Sequence, residues 1–444
     1  MSAQTFAELR SLLLLAWPVV LAQLGMMGLG LVDTWMVGRA FPESLAGLAL
    51  GNTWQFASLI IGLGVANGLD PLLAQAWGAR DDAGYDRAFV RGVAGVVWVS
   101  IPIMALQVVA GPALRWLGEP PEAIGVAAAW TAVILYSVPA FLLYALLRQA
   151  MQCRGRSGPA LWVVLIGNVV NAAANPLMMH GYGSFEGFGP VGTAYSTLIV
   201  RWVMFAALLG FADREREALR RAWRGLFDVA GVLRVLRRVL PVGIQFGTEV
   251  WAFQAGFMVT GWYGAHATSG HAIAGMLCGA SFMVPIGLGA AASARVGNHI
   301  GAGFAWQPVA RLAVQVGLGW GLMAAAAFVL VPALFVDAFV GDAPEIRAIA
   351  ISLMPYAAAF QVFDAAQGVM FGVLRGAGDT EVPTVANLVG YWVVGLPVGV
   401  LLAVQGWEVY GIWVGYTLGL ALVTALLLGR LAQMMRRPVA RATT

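Results

Sequence analysis

Acidic residues stand inside stretches that are otherwise long and apolar enough to cross a bilayer, and Glu249, in PVGIQFGTEVWAFQAGFMVTGW (Pro241–Trp262), is the clearest of them. A charged side chain at the centre of a membrane helix costs roughly 2.5 to 3.5 kcal/mol on insertion scales, so it is expected to face a cavity or a partner and to mark an ion or substrate path. Asp364, in YAAAFQVFDAAQGVMFGVLRGAGD, lies in the same half of the chain, and the three-residue spacing of Gln361, Asp364 and Gln367 puts them on one helix face. Two acidic residues on different helices of one half form a site for a cation or a proton. The structural alternative pairs each carboxylate with an arginine, but no arginine stands at comparable depth in that half.

In the first half, Asp33 lies near the outer end of its span in LGLVDTWMVG, and Asn168, Asn171 and Asn175 fall on one face of the fifth span by spacings of three and four. Together they suit a proton relay or a small cation held by oxygen ligands; the alternative is that the asparagines only join neighbouring helices. Asp70, immediately before Pro71, suits a capping or gating role as well as ion binding, and Arg201 is either a buried partner for a carboxylate or a side chain reaching an interface. His180, His266, His271 and His299 lack metal-ligand spacing. Cys153 and Cys278 offer neither a disulfide framework nor a CxxC site and read as packing residues.

Aromatic side chains such as Trp35, Trp251, Phe253, Tyr356 and Tyr391, with Gln361 among them, are candidates for a cavity that takes organic cations, since ring faces attract cations. Lipid contact, core packing or an interfacial belt explains the same residues.

The elements that must position these groups follow from composition. Of 444 residues 60% are hydrophobic and only 11% charged, with a mean hydropathy of +0.79, which marks an all-α polytopic membrane protein with no soluble domain of useful size left over. Twelve segments are expected near 11–38, 44–73, 87–117, 122–152, 159–181, 189–212, 233–262, 267–299, 308–340, 343–374, 381–405 and 408–435. The leading MSAQTFAELR runs into the first span without a small-residue cleavage site and reads as a retained span. Every basic residue is arginine. Placing the N-terminus in the cytoplasm leaves only Arg39, Arg115 and Arg347 outside, while Arg80, Arg148, Arg154, the block from Arg214 to Arg238 and the tail from Arg430 to Arg441 fall inside; both ends are therefore expected in the cytoplasm. The net charge of +4 reports that topology and carries no nucleic-acid footprint.

The charged stretch from Asp213 to Arg238 falls near the middle and suggests a lobe over 1–212, a linker over 213–232 and a second lobe over 233–444. Trp17-Pro18-Val19 corresponds to Leu240-Pro241-Val242, Ile61-Gly62-Leu63-Gly64 to Ile286-Gly287-Leu288-Gly289, and Cys153-Arg154-Gly155 to Leu374-Arg375-Gly376, in the same order and at an offset of about 225 residues. Two six-helix repeats entering from the same side imply a pseudo-twofold axis along the membrane normal and a substrate cavity between lobes.

With Asp33 in VDTWMVG, Glu249 in GTEVWAF and Asp364 in FDAAQGVMFGVLRGAGD, nearly the whole chain resembles the multidrug and toxic compound extrusion (MATE) transporters, specifically the NorM branch, which the acidic position of the seventh span separates from the DinF-like one. The resemblance implies an exporter, multi-pass in the bacterial inner membrane and monomeric, that couples inward Na+ or H+ flow to export of diverse, often cationic, compounds without a further cofactor. It assigns Glu249 and Asp364 to a cation site in the second lobe, and Asp33 with Asn171, Asn175 and Thr193 to a polar site in the first. A lipid-linked oligosaccharide flippase of the same superfamily would favour a strongly cationic cavity, whereas the mid-membrane charges here are mainly acidic. A passive channel would be excluded by uphill movement. An integral-membrane enzyme would need a convergent nucleophile and base, a metal pair or a cofactor fingerprint, and the sequence offers none.

Overall fold

Helix satisfies every backbone group within its own segment, as hydrocarbon demands, and among the described residues it is the regular structure formed, with a single isolated bridge between Tyr182 and Phe185. The computed structural model of the chain describes all residues except 1, 2, 342, 437, 438, 440, 443 and 444. Arg437 of the basic tail and the first two residues of the leading segment thus lie outside the described residues. The main helices are α1 (Ala3–Ala40), α2 (Leu45–Asn67), α3 (Asp82–Val108), α4 (Pro121–Cys153), α5 (Gly158–His180), α6 (Gly192–Phe211), α7 (Asp213–Ala222) and α8 (Val229–Thr260). They continue with α9 (Ala265–Gly301), α10 (Gln307–Leu330), α11 (Pro344–Gly376), α12 (residues 381–405) and α13 (Glu408–Met435).

Ten helical stretches are long and apolar enough to cross a membrane. One of them, Glu381–Met435, contains two helices, because the backbone turns at Gly406 with φ at +99°. The 32-residue α8 is not among the ten, since Gln245, Glu249 and Gln254 interrupt its apolar run. Counting both gives the twelve long helices read from the sequence, with α7 as an additional short one. Two expected segments are shorter than their apolar runs. The 87–117 segment ends as a helix at Val108 and restarts as Ala110–Trp116, and the 308–340 segment stops at Leu330 before Pro332–Val336. Pro112 and Pro332 carry no N–H to donate back along the helix, so each forces the break.

The chain folds as two packed units. One takes Leu21–Trp77 and Asp81–Gly243; the other takes Met1–Val20, Gly78–Arg80 and Ile244–Ala442. The boundaries inside helices fall just past Pro18 in α1 and just past Pro241 in α8, the prolines matched by the internal repeat.

In the unit containing Ile244–Ala442, α9 and α11 pack most extensively. The reason is local. Gly368, Gly372 and Gly376 recur every four residues and lie along one face of α11, and Gly289 and Ser293 of α9 meet that face: a Cβ on Gly372 would sit 2.0 Å from the Gly289 carbonyl oxygen, and one on Gly376 would sit 2.4 Å from that of Ser293. Small residues at this spacing let two membrane helices approach to backbone contact, where van der Waals packing holds them. The approach fixes the stretch of α11 that carries Asp364 and Gln367.

In the other unit, α5 and α6 form a close hairpin in which a Cβ on Gly192 would lie 2.4 Å from the Met178 carbonyl oxygen. The linker helix α7 is fastened to the same unit by charge. Glu215 is fully buried, pairs with Arg154 at 2.7 Å and accepts the Tyr85 hydroxyl at 2.7 Å. Arg214 bridges Asp82, at 3.0 Å, and Asp86. Beyond α7, Asp228 accepts the Gly231 N–H at 2.9 Å and pairs with Arg91 at 2.6 Å; that backbone bond and then the guanidinium hold its carboxyl below the usual range.

Candidate functional site

Glu249 stands on α8 with its carboxylate turned to α11 and α12. Gln367 Nε2 on α11 donates to Oε1 at 3.1 Å, and Asn387 Nδ2 on α12 donates to Oε2 at 3.4 Å. The donors are themselves anchored: Gln367 Nε2 also reaches the Tyr391 hydroxyl at 3.0 Å, and Asn387 Nδ2 reaches the Gln245 carbonyl at 3.0 Å. Trp392 Nε1 donates to the Thr248 carbonyl at 2.9 Å and ties α12 to α8 beside the carboxylate. Asp364, one turn before Gln367, is buried, and Glu249 acts on it electrostatically.

Among the described residues no arginine acts on either carboxylate. Burying a charge is costly unless it is paired, and here amides provide the only hydrogen bonds to Glu249 among the described residues. Two further oxygens, Gln367 Oε1 and Asn387 Oδ1, are buried with no hydrogen-bond partner among the described residues. Which end of an amide is oxygen is an assignment made from the hydrogen-bond network, and the donation of both amides to Glu249 leaves these oxygens on the side away from it. Among the described residues no three of His, Cys, Asp and Glu converge. The set is therefore two carboxylates with neutral amides beside them and no soft ligand, which suits a proton or a hard monovalent cation better than a transition metal.

The other unit holds a second acidic site with a different balance of charge. Asp33 on α1 is buried; Asn175 Nδ2 donates to its Oδ1 at 2.8 Å and Thr197 Oγ1 to its Oδ2 at 2.8 Å. Asn171 Nδ2 donates in turn to Thr197 Oγ1 at 3.3 Å. Arg201 acts on Asp33 electrostatically, while its Nη1 bonds Ser137 Oγ at 2.8 Å and its guanidinium lies 4.6 Å over the Phe141 ring. Arg201 is half-buried, and among the described residues it makes no ion pair with Asp33; its effect there is electrostatic.

Asp33, Asn171 and Asn175 are brought together as expected, but Thr193 is not with them. Its hydroxyl accepts Trp130 Nε1 at 3.2 Å and donates to the Pro190 carbonyl at 3.1 Å, and the hydroxyl on Asp33 is that of Thr197, one turn further along α6. Asn168 also stands apart, bonded to the Gly25 and Val164 carbonyls at 2.9 Å each, so it joins helices. Thr197→Val is expected to remove one of the two hydrogen bonds to Asp33 and destabilise that site by about 1–3 kcal/mol, whereas Thr193→Val leaves Asp33 untouched. Thermal unfolding of the two variants in detergent, measured side by side, checks this: equal losses would count against the assignment of Thr197.

Asp70 begins the short helix Asp70–Gly78 and accepts Gln149 Nε2 at 2.6 Å, a structural role. Of the proposed cavity residues, Phe253 and the buried Tyr391 pack edge to face at 5.3 Å beside the Glu249 site. Gln361 is buried with neither end of its amide hydrogen-bonded among the described residues. Tyr356 tilts against Tyr410 at 5.5 Å, Trp251 is surface-exposed, and Trp35 is exposed beneath the Arg39 guanidinium, so these three are not gathered around either acidic site.

Sequence reasoning passed over Asn387 and Thr197. The signal for Asn387 lay in the repeat, which makes α12 the counterpart of α5: each half sets an acid on its first helix against an asparagine on its fifth, Asp33 with Asn175 and Glu249 with Asn387.

Comparison with known proteins agrees with this internal duplication. The MatE family model matches twice, at residues 18–177 and 241–401. Similar relatives include a Mesorhizobium japonicum protein named "Probable multidrug resistance protein NorM", 36% identical with 95% of this chain and 93% of that protein covered, and the multidrug resistance protein PmpM of Pseudomonas aeruginosa, 32% identical over 97% and 92%. Among solved structures, the eukaryotic MATE transporter AtDTX14 superposes with a TM-score of 0.88 at 21% identity, covering 98% of this chain and all of that one. The twelve-helix fold, the duplicated match and relatives aligned along nearly their full length agree, and the chain belongs to the MatE family.

Proposed function

We propose that the chain is a secondary active multidrug exporter that couples inward movement of Na+ or H+ to outward movement of organic, often cationic, compounds. It does so as a monomer in the bacterial inner membrane with both termini in the cytoplasm. The names of its NorM and PmpM relatives support the multidrug part of that reading. One observation carries the coupling part: Glu249, half-buried, receives only amide hydrogen bonds, the buried Asp364 feels its charge, and among the described residues no cationic side chain acts on either. That arrangement calls for a bound cation. By contrast, Arg201 compensates Asp33, which gives the second acidic site a supporting role.

Coupling requires that the cation and the exported compound favour different conformations or compete for one, because a ligand that binds both states equally shifts nothing. The residues present fit a proton on either carboxylate, or Na+ held by the Glu249 and Asp364 oxygens with Gln367 and Asn387 turned to present theirs. Reconstituted into liposomes under separately imposed Na+ and pH gradients, the protein is expected to move a cationic dye uphill under at least one gradient and to stop when that gradient is collapsed. Movement only down the dye's own gradient, whatever the ions, would make the protein a passive channel.

A further inference from the structure

Transport by the acidic sites makes no use of the linker between the two repeats, yet that segment presents an organised outward face. From Asp213 to Arg238 it carries eight arginines against four acids. Its acids are largely spent on the inside, where Glu215, buried, and Asp228 hold Arg154 and Arg91, while Asp213 and Glu217 pair with Arg216 and Arg221 along α7. Arg220, Arg224 and Arg237 are exposed and form no ion pair among the described residues.

Between those arginines stand two large aromatic rings. Trp223 is 52% and Phe227 73% exposed, and they pack edge to face with centroids 6.1 Å apart, with the Arg224 guanidinium 5.9 Å over the indole. A soluble surface has no use for such rings, and here they lead directly into an apolar stripe of α8. Leu233 and Leu240 are exposed on that stripe, and Arg237 falls between them at helical spacing. The salt-bridge clamp of Glu215, Arg214 and Asp228 fixes which face points outward, so the rings and arginines cannot turn inward.

We infer that this face, formed by Arg220, Trp223, Arg224, Phe227 and Arg237, is a docking surface for anionic lipid headgroups at the membrane boundary. Aromatic rings settle at the level of the headgroups, and arginines with long apolar stems reach past them to phosphates. Continuity with the exposed Leu233 and Leu240 of α8 favours a membrane over a protein partner, and the excess of arginine favours anionic over zwitterionic lipid. Docking would hold the linker, and through its clamp α3 and α4, at a fixed height on the bilayer. This inference does not depend on what the protein transports.

The test uses the full chain with a spin label at Ala230→Cys, an exposed position beside the stripe; Cys153 and Cys278 are both buried and leave labelling selective. In bilayers of phosphatidylcholine with increasing phosphatidylglycerol, the label is expected to move from water-accessible to oxygen-accessible, and added salt should reverse the change. Removing the charges together as R220Q, R224Q and R237Q should weaken docking by about a hundredfold, at about 1 kcal/mol per arginine, so that the phosphatidylglycerol fraction giving half the change in the wild type no longer moves the label. Trp223→Ser with Phe227→Ser should leave that fraction nearly unchanged and make the label shallower. A label that stays water-accessible in every lipid, responds equally to pure phosphatidylcholine, or keeps its midpoint in the triple variant would overturn the inference.

Discussion

Glu249→Gln and, separately, Asp364→Asn are each expected to reduce ion-driven efflux to the background of empty liposomes while the protein still inserts and folds. The amide keeps the shape of each side chain and removes one unit of charge. Gln367 and Asn387 can still donate to the remaining carbonyl oxygen of a glutamine at position 249. What disappears is the differential binding of the cation. To turn a conformational equilibrium from 1:99 to 99:1 a ligand must favour one state by about 5.5 kcal/mol, and a site without its charge cannot supply such a preference to Na+ or release a proton. Because Glu249 acts electrostatically on Asp364, the double variant should behave as either single one does, which is the non-additivity expected of coupled groups. Size-exclusion profiles in detergent report folding, and dye efflux under the imposed gradient reports coupling. Wild-type efflux in both single variants, with normal expression, would remove the coupling role from this pair.

Gly372→Val is expected to abolish the folded protein, or to lower its stability by more than about 4 kcal/mol, a size that places it among exceptional substitutions. The first added atom alone would sit 2.0 Å from the Gly289 carbonyl oxygen, which is backbone and has no rotamer by which to move aside. The helices α9 and α11 must then separate, and the separation removes the close packing that substitutes for a hydrophobic drive between helices in lipid. Gly319, with nothing near its absent Cβ, is the control: Gly319→Val should be tolerated. The pair of variants, followed by thermal unfolding in detergent, distinguishes a steric requirement at α9–α11 from a general intolerance of valine in these helices.

Much of the architecture was legible because membrane helices obey a simple accounting. An apolar run of sufficient length must be a helix in hydrocarbon, so the number of long helices, the fold class and the duplication could be read directly. The proline breaks at Pro112 and Pro332 were equally readable in principle, and apolar length alone concealed them. The anomaly of a carboxylate in an apolar run identified Asp33, Glu249 and Asp364, because the cost of burial makes such residues rare unless something answers them.

The partners were another matter. Thr193 and Thr197 lie one turn apart on the same helix and are indistinguishable by type and spacing; which of them meets Asp33 depends on the axial offset of α6 against α1, which the close approach of Gly192 to Met178 helps set. Arg201 was likewise ambiguous until its position beside Ser137 and Phe141 put it in reach of Asp33. Asn387 became part of the Glu249 site only when α12 packed against α8.

By itself the sequence determined that the chain spans a membrane repeatedly, that it is built twice, and that charged groups stand where charge is expensive, because all three are written in hydropathy and periodicity along a single helix. Only the tertiary structure decided which charges are compensated. Among the described residues Asp33 has an arginine acting on it and Glu249 with Asp364 has none, a difference made by side chains far apart in sequence and set by how closely glycine-faced helices approach one another.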